Sequence, residues 1–370
     1  MRRKMLKEHN PDMIVLAREY RGLTQKELAD NSSLKQPQIA MIEGGVENSA
    51  SAETILAISK ALDFPVEFFY LKEDRLGFGS SSIYYRKSSS ITAADRKYIS
   101  SITNLVRIGI KYFMDSVDIE SDFNLPFIDL KNMDGSPGKA AAIVRATWGA
   151  PDGPISNLTN LIERSGVIVV ECDFGIKGLS GTSMRLTNVP PIIFINKELP
   201  PDRYRFTLAH ELGHLVIHDK PSETMEEEAD EFAAELLMQS HEFKISVSQF
   251  GERPTLRNLI ALKPYWKVAV SAMIMRMHQI NFISERTKRS LFIQMSNLKM
   301  RLNEPQPFKK EKPTLFSKLV KSAIGDLDND FALARDVMKL PEDVFKLLYA
   351  SSLADETATH SDRSHQLRLV

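Results

Sequence analysis

Phe206-Thr-Leu-Ala-His210-Glu211-Leu-Gly-His214-Leu-Val-Ile-His218 is the stretch on which the reading of this chain turns. On a helix, His210 and His214 stand four residues apart on one face, so both imidazoles reach the same ion. Glu211 lies beside them, where a carboxylate can hold a metal-bound water and take its proton. A catalytic zinc of this kind needs a third protein ligand and an open fourth position. The helical segment Glu226-Glu-Glu-Ala229-Asp230-Glu-Phe232-Ala233 supplies the candidates. Glu226 would complete a set of two histidines and one glutamate, with Glu223 and Glu227 close enough in register to replace it. Asp230, one turn on, would hydrogen-bond the outer nitrogen of a ligand histidine. The small Ala229 would let the two helices approach. His218 extends the histidine face, either joining the site or sitting cationic at the helix C-terminus. A metal helix of the metzincin class would carry a third histidine six residues after His214, and Lys220 in that place excludes the class.

Upstream, residues 11–71 read as a bundle of short helices, from apolar residues at helical spacing: Ile14, Leu16 and Ala17, then Leu28 and Ala29, Ile39 and Ile42, and Ile55, Ile58 and Leu62. Thr24 and Glu27 form a capping-box pattern, and Gly44-Gly45 ends the third helix. Two of the helices, joined by a turn at Asn31–Leu34, have the layout of a helix-turn-helix, whose second helix would enter the major groove of double-stranded DNA. Pro37 is tolerated only in a first turn, so that helix starts near Lys35. Gln36 and Gln38 suit adenine edges, Gln25 suits a phosphate, and Met41 in the reading helix is less polar than base reading would lead one to expect. Residues 1–76 hold 11 basic and 12 acidic side chains. Phosphate neutralisation per subunit is therefore small, and operator binding calls for a homodimer on two half-sites.

The remainder divides by composition. Ser80–Ser82 and Ser88–Ser90 mark a connector, and Ala93–Ser116 has the pattern of a long connecting helix. A new helix begins near Lys139. Leu158–Ile162 is helical, Val167–Val170 and Ile192–Ile195 are β-rich, and the glycine-bearing segment 178–187 completes a small, partly antiparallel sheet. The strand near Ile192–Ile195 could receive an extended peptide along its edge. Helices then run to the end, with ten basic against three acidic residues over 284–321, and the polar tail from Ala354 is expected to fray.

Whole-chain composition, with 48 basic and 48 acidic residues in 370, excludes a wholesale electrostatic nucleic-acid binder but leaves room for a small DNA-reading module. The single Cys172 excludes a disulfide framework and a thiolate cluster, so any metal must be held by histidine and carboxylate. Met1-Arg2-Arg3-Lys4 is followed by Lys7, Glu8, His9 and Asp12 rather than by an apolar run, and no window approaches a membrane span. These features lead us to expect a cytoplasmic protein without membrane contact.

With both ends read, the chain resembles the ImmA/IrrE family of zinc metallopeptidases carrying an N-terminal helix-turn-helix of the XRE type. The resemblance rests on Thr24-Gln25-x-x-Leu28-Ala29, Ile42-Glu43-x-Gly45, Tyr85-Arg86-Lys87, Arg205-Phe206-Thr-Leu-Ala-His210-Glu211-Leu-Gly-His214, Glu226-x-x-Ala229-Asp230 and Leu262-Lys263-x-x-Trp266. It implies a mainly α fold with a small β-sheet: a helix-turn-helix domain (1–72), a linker with connecting helix (73–138), an α+β zincin-like peptidase domain (139–303) and a C-terminal helical region (304–370). It also implies Zn2+ at His210, His214 and Glu226, Glu211 as base, and a protein substrate such as a helix-turn-helix repressor. Such proteins occur in mobile elements and stress-response circuits. The rival expectation is a DNA-binding repressor or antitoxin that uses the zinc fold as a sensor or interaction platform and cleaves nothing. One departure is visible: Gln239 follows Met238 where family members often carry Pro.

Overall fold

The computed structural model describes residues 8–76, 91–114, 117–176, 178–186, 189–251, 253–300, 304–325, 327, 330–353 and 367–369. Both Ser-rich runs, Tyr85-Arg86-Lys87 and the tail from Ala354 to Gln366 lie outside the described residues.

The N-terminal bundle comprises α1 (Pro11–Tyr20), α2 (Gln25–Ser32), α3 (Gln36–Glu43) and α4 (Ala52–Leu62). Its helix starts are written locally. Thr24 accepts from the Glu27 amide while Glu27 returns the bond, Ser51 accepts from Thr54, and Pro37 sits in the first turn of α3. Gly45, at φ +71°, carries the chain out of α3 through a conformation that glycine adopts without strain.

Helix α5 (Ala93–Met114) starts at the expected residue, its expected last residues 115–116 lie outside the described residues, and it is buried along most of its length. It packs on α1 and on α14 (Leu315–Gly325), so the connecting helix is a core element. After β1 (Val117–Ile119) come α6 (Pro137–Thr147), which begins at its proline two residues before the expected start, and α7 (Leu158–Glu163). Strands β2 (Ile168–Cys172), β3 (Gly181–Leu186) and β4 (Val189–Asn196) form a sheet of order β2-β4-β3, parallel between β2 and β4 and antiparallel between β3 and β4. This corrects the expectation that Ile192–Ile195 offers an edge: β4 is central, both its sides are paired, and β3 is the strand beside the helices that follow.

Alternation along the strands joins two cores. Ile168, Val170, Ile192 and Phe194 face the cluster containing the N-terminal bundle, α5 and the C-terminal helices. Val169, Ile193 and Ile195 face a second cluster built on α8 (Pro201–Ile217), α9 (Met225–Leu237), α10 (Ser240–Ser248), α11 (Leu256–Trp266), α12 (Val270–Gln279) and α13 (Glu285–Asn297). The segment between α13 and α14 straps the second cluster. Its Glu304 pairs with Lys263 and caps α12 at the Val270 and Ser271 amides, while Glu311 accepts from Thr159 and pairs with the buried Arg205 of α8. Helices α15 (Phe331–Met338) and α16 (Glu342–Leu353) close the first cluster, and Arg21 at the end of α1 reaches Asp343 at 2.6 Å. The tail does not fray throughout: β5 (Leu367–Leu369) pairs antiparallel with β1, satisfying backbone groups that an isolated three-residue strand leaves open. Among the described residues no helix is long and apolar enough to cross a membrane.

Several cations of the basic stretch are engaged within the chain. Lys310 bonds the Lys197 carbonyl, pairs with Glu171 at 2.9 Å and lies over the Tyr204 ring, while Lys288 pairs with Glu285. Lys312, Lys318 and Lys321 also have partners.

Candidate functional site

Helix α8 begins at Pro201 with Asp202 in its first turn and is buried nearly all round, as its apolar flanks require. Its histidine face meets α9 across a very short gap. A Cβ built on Gly213 would lie 3.1 Å from the Phe232 ring and 3.4 Å from the Ala229 Cα, so glycine on one helix and alanine on the other set how closely the two approach. The opposite flank is equally tight, since a Cβ on Gly181 would lie 3.0 Å from Thr207 and 3.3 Å from Glu211.

These contacts bring His210, His214 and Glu226 together, with one potential ligand atom from each within 4.8 Å of the others. The two histidine Nε2 atoms are 3.1 Å apart, and Glu226 lies 3.3 Å from His210 Nε2 and 3.5 Å from His214 Nε2. Ligand atoms placed tetrahedrally around an ion at about 2.0–2.1 Å are separated by about 3.3–3.4 Å. The three groups therefore fit a small divalent cation. Glu226 faces the histidines, whereas Glu227 lies on the exposed side of α9 and lines a neighbouring groove.

The outer ring nitrogens are each held. Asp230 Oδ1 lies 2.8 Å from His210 Nδ1. His214 Nδ1 lies 3.0 Å from His218 Nδ1, and His218 Nε2 lies 2.9 Å from Glu228, which also accepts from Thr224. Two ring nitrogens can share one bond only if one donates and the other accepts. The chain of contacts is consistent with His214 donating to His218 and His218 donating to Glu228, which leaves His214 Nε2 as a free lone pair at the site. His218 is thus the residue at which α8 ends, and burial lowers its basicity from the ordinary value, with Glu228 and Glu226 opposing.

Charge concentrates at one point. Burial opposes protonation of His210, but Asp230, Glu226 and Glu211 outweigh it and raise the ring to about 10, whereas burial, His210 and His218 hold His214 well below the ordinary value. Glu211 is 4% exposed, and burial pushes its carboxyl up to about 7 while His210 opposes the rise. Glu211 Oε2 and Glu226 Oε1 are buried without a hydrogen bond. Two orphaned carboxylate oxygens beside the His214 Nε2 lone pair are what a cation and a water would satisfy. They open on a small pocket of about 200 Å³, walled by Gly178, Ser180 and Gly181 on the β3 side.

Residues 162–278 match the family model of the IrrE N-terminal-like domain, a peptidase family, and residues 14–69 match that of the helix-turn-helix. An IrrE-like peptidase domain thus follows a helix-turn-helix domain in one chain. No curated protein sequence matches the chain. The IrrE-like segment contains the whole α8–α9 histidine and carboxylate cluster.

The helix-turn-helix match supports DNA binding by the N-terminal bundle. Arg18 grips Glu43 through two bonds of 2.6 and 2.9 Å, Glu43 accepts from Gln25, and Gln25 accepts from Gln36. Gln25 therefore connects the buried ion pair to the first turn of α3, a placement its expected phosphate role did not suggest. Gln25, Lys35 and Gln36 line a cleft of about 1060 Å³ together with Lys97 of α5. Lys35 is exposed and makes no side-chain cap, Gln38 is half-buried, and Met41 is exposed on α3. Sequence reasoning missed Glu228 and Lys97; the former had no helical period to His218, and the latter comes near only through tertiary folding.

Proposed function

We propose that this DNA-binding regulator is a zinc endopeptidase acting on a protein substrate. The observation that carries the reading is the triangle of His210, His214 and Glu226 beside the buried Glu211, whose Oε2 has no hydrogen bond. Zinc, when bound there, supplies a Lewis acid that polarises a peptide carbonyl and brings the pKa of a water towards about 7. Glu211 takes the water proton and delivers it to the leaving amine. Asp230 and His218 keep the two imidazoles turned towards the ion, and Glu228 keeps His218 in the tautomer that accepts from His214. Strand β3, next to the pocket, is the surface along which an extended substrate would pair. The N-terminal module brings the peptidase to an operator, and its nearly balanced charge favours binding as a homodimer. A substrate such as a repressor suits a peptidase tied to DNA.

The decisive comparison is between the parent and Glu211→Gln. Glu211 is a base and no ligand, so the variant should keep one zinc per chain by elemental analysis while cleavage of candidate repressors falls by about 10²–10⁴-fold. Equal cleavage by both proteins would reject the mechanism. Stoichiometric zinc with no cleavage of any partner would favour the sensor reading.

A further inference from the structure

Beside the metal pocket runs a second, larger depression of about 730 Å³, bounded by α8, α9 and α12. The two share Phe206, Thr207 and Asp230 in their walls, so a peptide with its carbonyl at the metal continues directly into the groove. The groove's volume lies in the range of about 300–1,000 Å³ typical of ligand sites.

Its two banks differ in chemistry. Phe206, Ala269 at the N-cap of α12, and Ala272 and Met275 of α12 form an apolar bank, and Met275 is a large thioether left 51% exposed. Such an adaptable side chain suits an apolar guest of varied shape. Across from it, Glu227 and Glu231 stand one turn apart on α9, and neither has an ion-pair partner among the described residues. Other charges in the wall are spent: Asp202 pairs with Lys263, Arg276 is held by Glu235 and the Met238 carbonyl, and His278 pairs with Glu285. Arg203 is the exposed cation that remains against the two glutamates.

We infer that this groove selects substrate segments presenting a large apolar side chain flanked by lysine or arginine. The inference rests on the proposed hydrolytic reading for its purpose but on the groove's own shape and charge for its content. An apolar residue would cover Met275 and Phe206, while its basic neighbours would meet Glu227 and Glu231.

The test uses the full zinc-loaded chain carrying Glu211→Gln, with binding rather than turnover as the readout. Three fluorescein-labelled peptides are titrated by anisotropy: Ala-Lys-Leu-Lys-Ala, Ala-Glu-Leu-Glu-Ala and Ala-Lys-Ala-Lys-Ala. The Lys-Leu-Lys peptide should bind about tenfold more tightly than either of the others, and added salt should shrink its lead over the Glu-Leu-Glu peptide. Glu227→Lys with Glu231→Lys should reverse the preference between the lysine and glutamate peptides. Ala272→Trp, which fills the apolar bank, should bring Lys-Leu-Lys down to Lys-Ala-Lys. Melting curves of each variant establish that it is folded, and Glu227→Gln with Glu231→Gln gives the same comparison with a smaller change. Equal affinity for all three peptides, binding of none of them, or a ranking untouched by charge reversal would each overturn the proposal. If the ranking holds and the parent hydrolyses nothing, the hydrolytic reading fails while the groove stands; hydrolysis without the ranking means the reverse.

Discussion

Asp230 and His218 approach the candidate ligands from opposite ends, each holding the imidazole nitrogen that faces away from the metal position. Neither is a proposed ligand, so Asp230→Ala and His218→Ala should retain the three-residue set and weaken zinc binding by about 10–100-fold. Competition with a chromogenic chelator measures this, and parental affinity in both variants would contradict the roles. Asp230 was legible in the sequence because it follows Glu226 by one helical turn. The pair His210 and His214 was legible for the same reason, since four residues on a helix is a local relation. Glu228 was hidden because its bond to His218 crosses the bend between two helices, where no period connects positions ten apart. The link from Gln25 to Gln36 was equally invisible, depending on how α2 and α3 cross.

At the scale of elements, the contact of α8 with α9 is set by side chains that are nearly absent. Gly213→Leu would force a side chain into the Phe232 ring and the Ala229 backbone, an overpacking that costs about 1–3 kcal/mol. Because Glu226 rides on α9 and the histidines on α8, zinc affinity and melting temperature should fall together; full affinity in a destabilised variant would separate the two. Helix α14 offers a second test through its N-terminus, where Glu163 accepts from the Thr314 and Leu315 amides. Burial pushes the Glu163 carboxyl from 4.5 up to about 7, against these bonds. The folded state therefore holds the proton more tightly than the unfolded chain. That advantage is complete below about pH 4.5 and is lost as pH rises through about 7. Between those limits the parent should lose on the order of 3 kcal/mol relative to Glu163→Gln, as denaturant titrations at several pH values would show. A constant difference would mean that Glu163 stays ionised. Strands β2 and β4 were readable from their β-branched runs and β3 from its glycines and alternation, but strand order was not. Placing β4 between β2 and β3 depends on a parallel pairing made across the intervening β3, and period-two patterning carries no information on neighbours.

Over the whole molecule, the helix-turn-helix bundle shares one hydrophobic cluster with α5, α14, α15, α16 and one face of the sheet. A chain read by composition suggested a linker there, because two Ser-rich runs precede α5 while its burial is decided by helices some 200 residues later. Ile102, 2% exposed at the middle of α5, should act as a common support. Ile102→Ala is expected to cost about 2–5 kcal/mol and to move the loss of operator binding and of far-UV helix signal to lower temperature together. Separate transitions would show that the bundle stands alone. The same arrangement has a consequence for synthesis. At about 5–20 residues per second, roughly 10–40 s pass between the completion of α5 and the start of α14. During that interval the first half of the protein displays an apolar helix face whose permanent cover has not yet been made. A ribosome that stalls before Leu315 leaves that face open, so the DNA-reading part of this chain depends for its cover on residues translated some 200 positions after it.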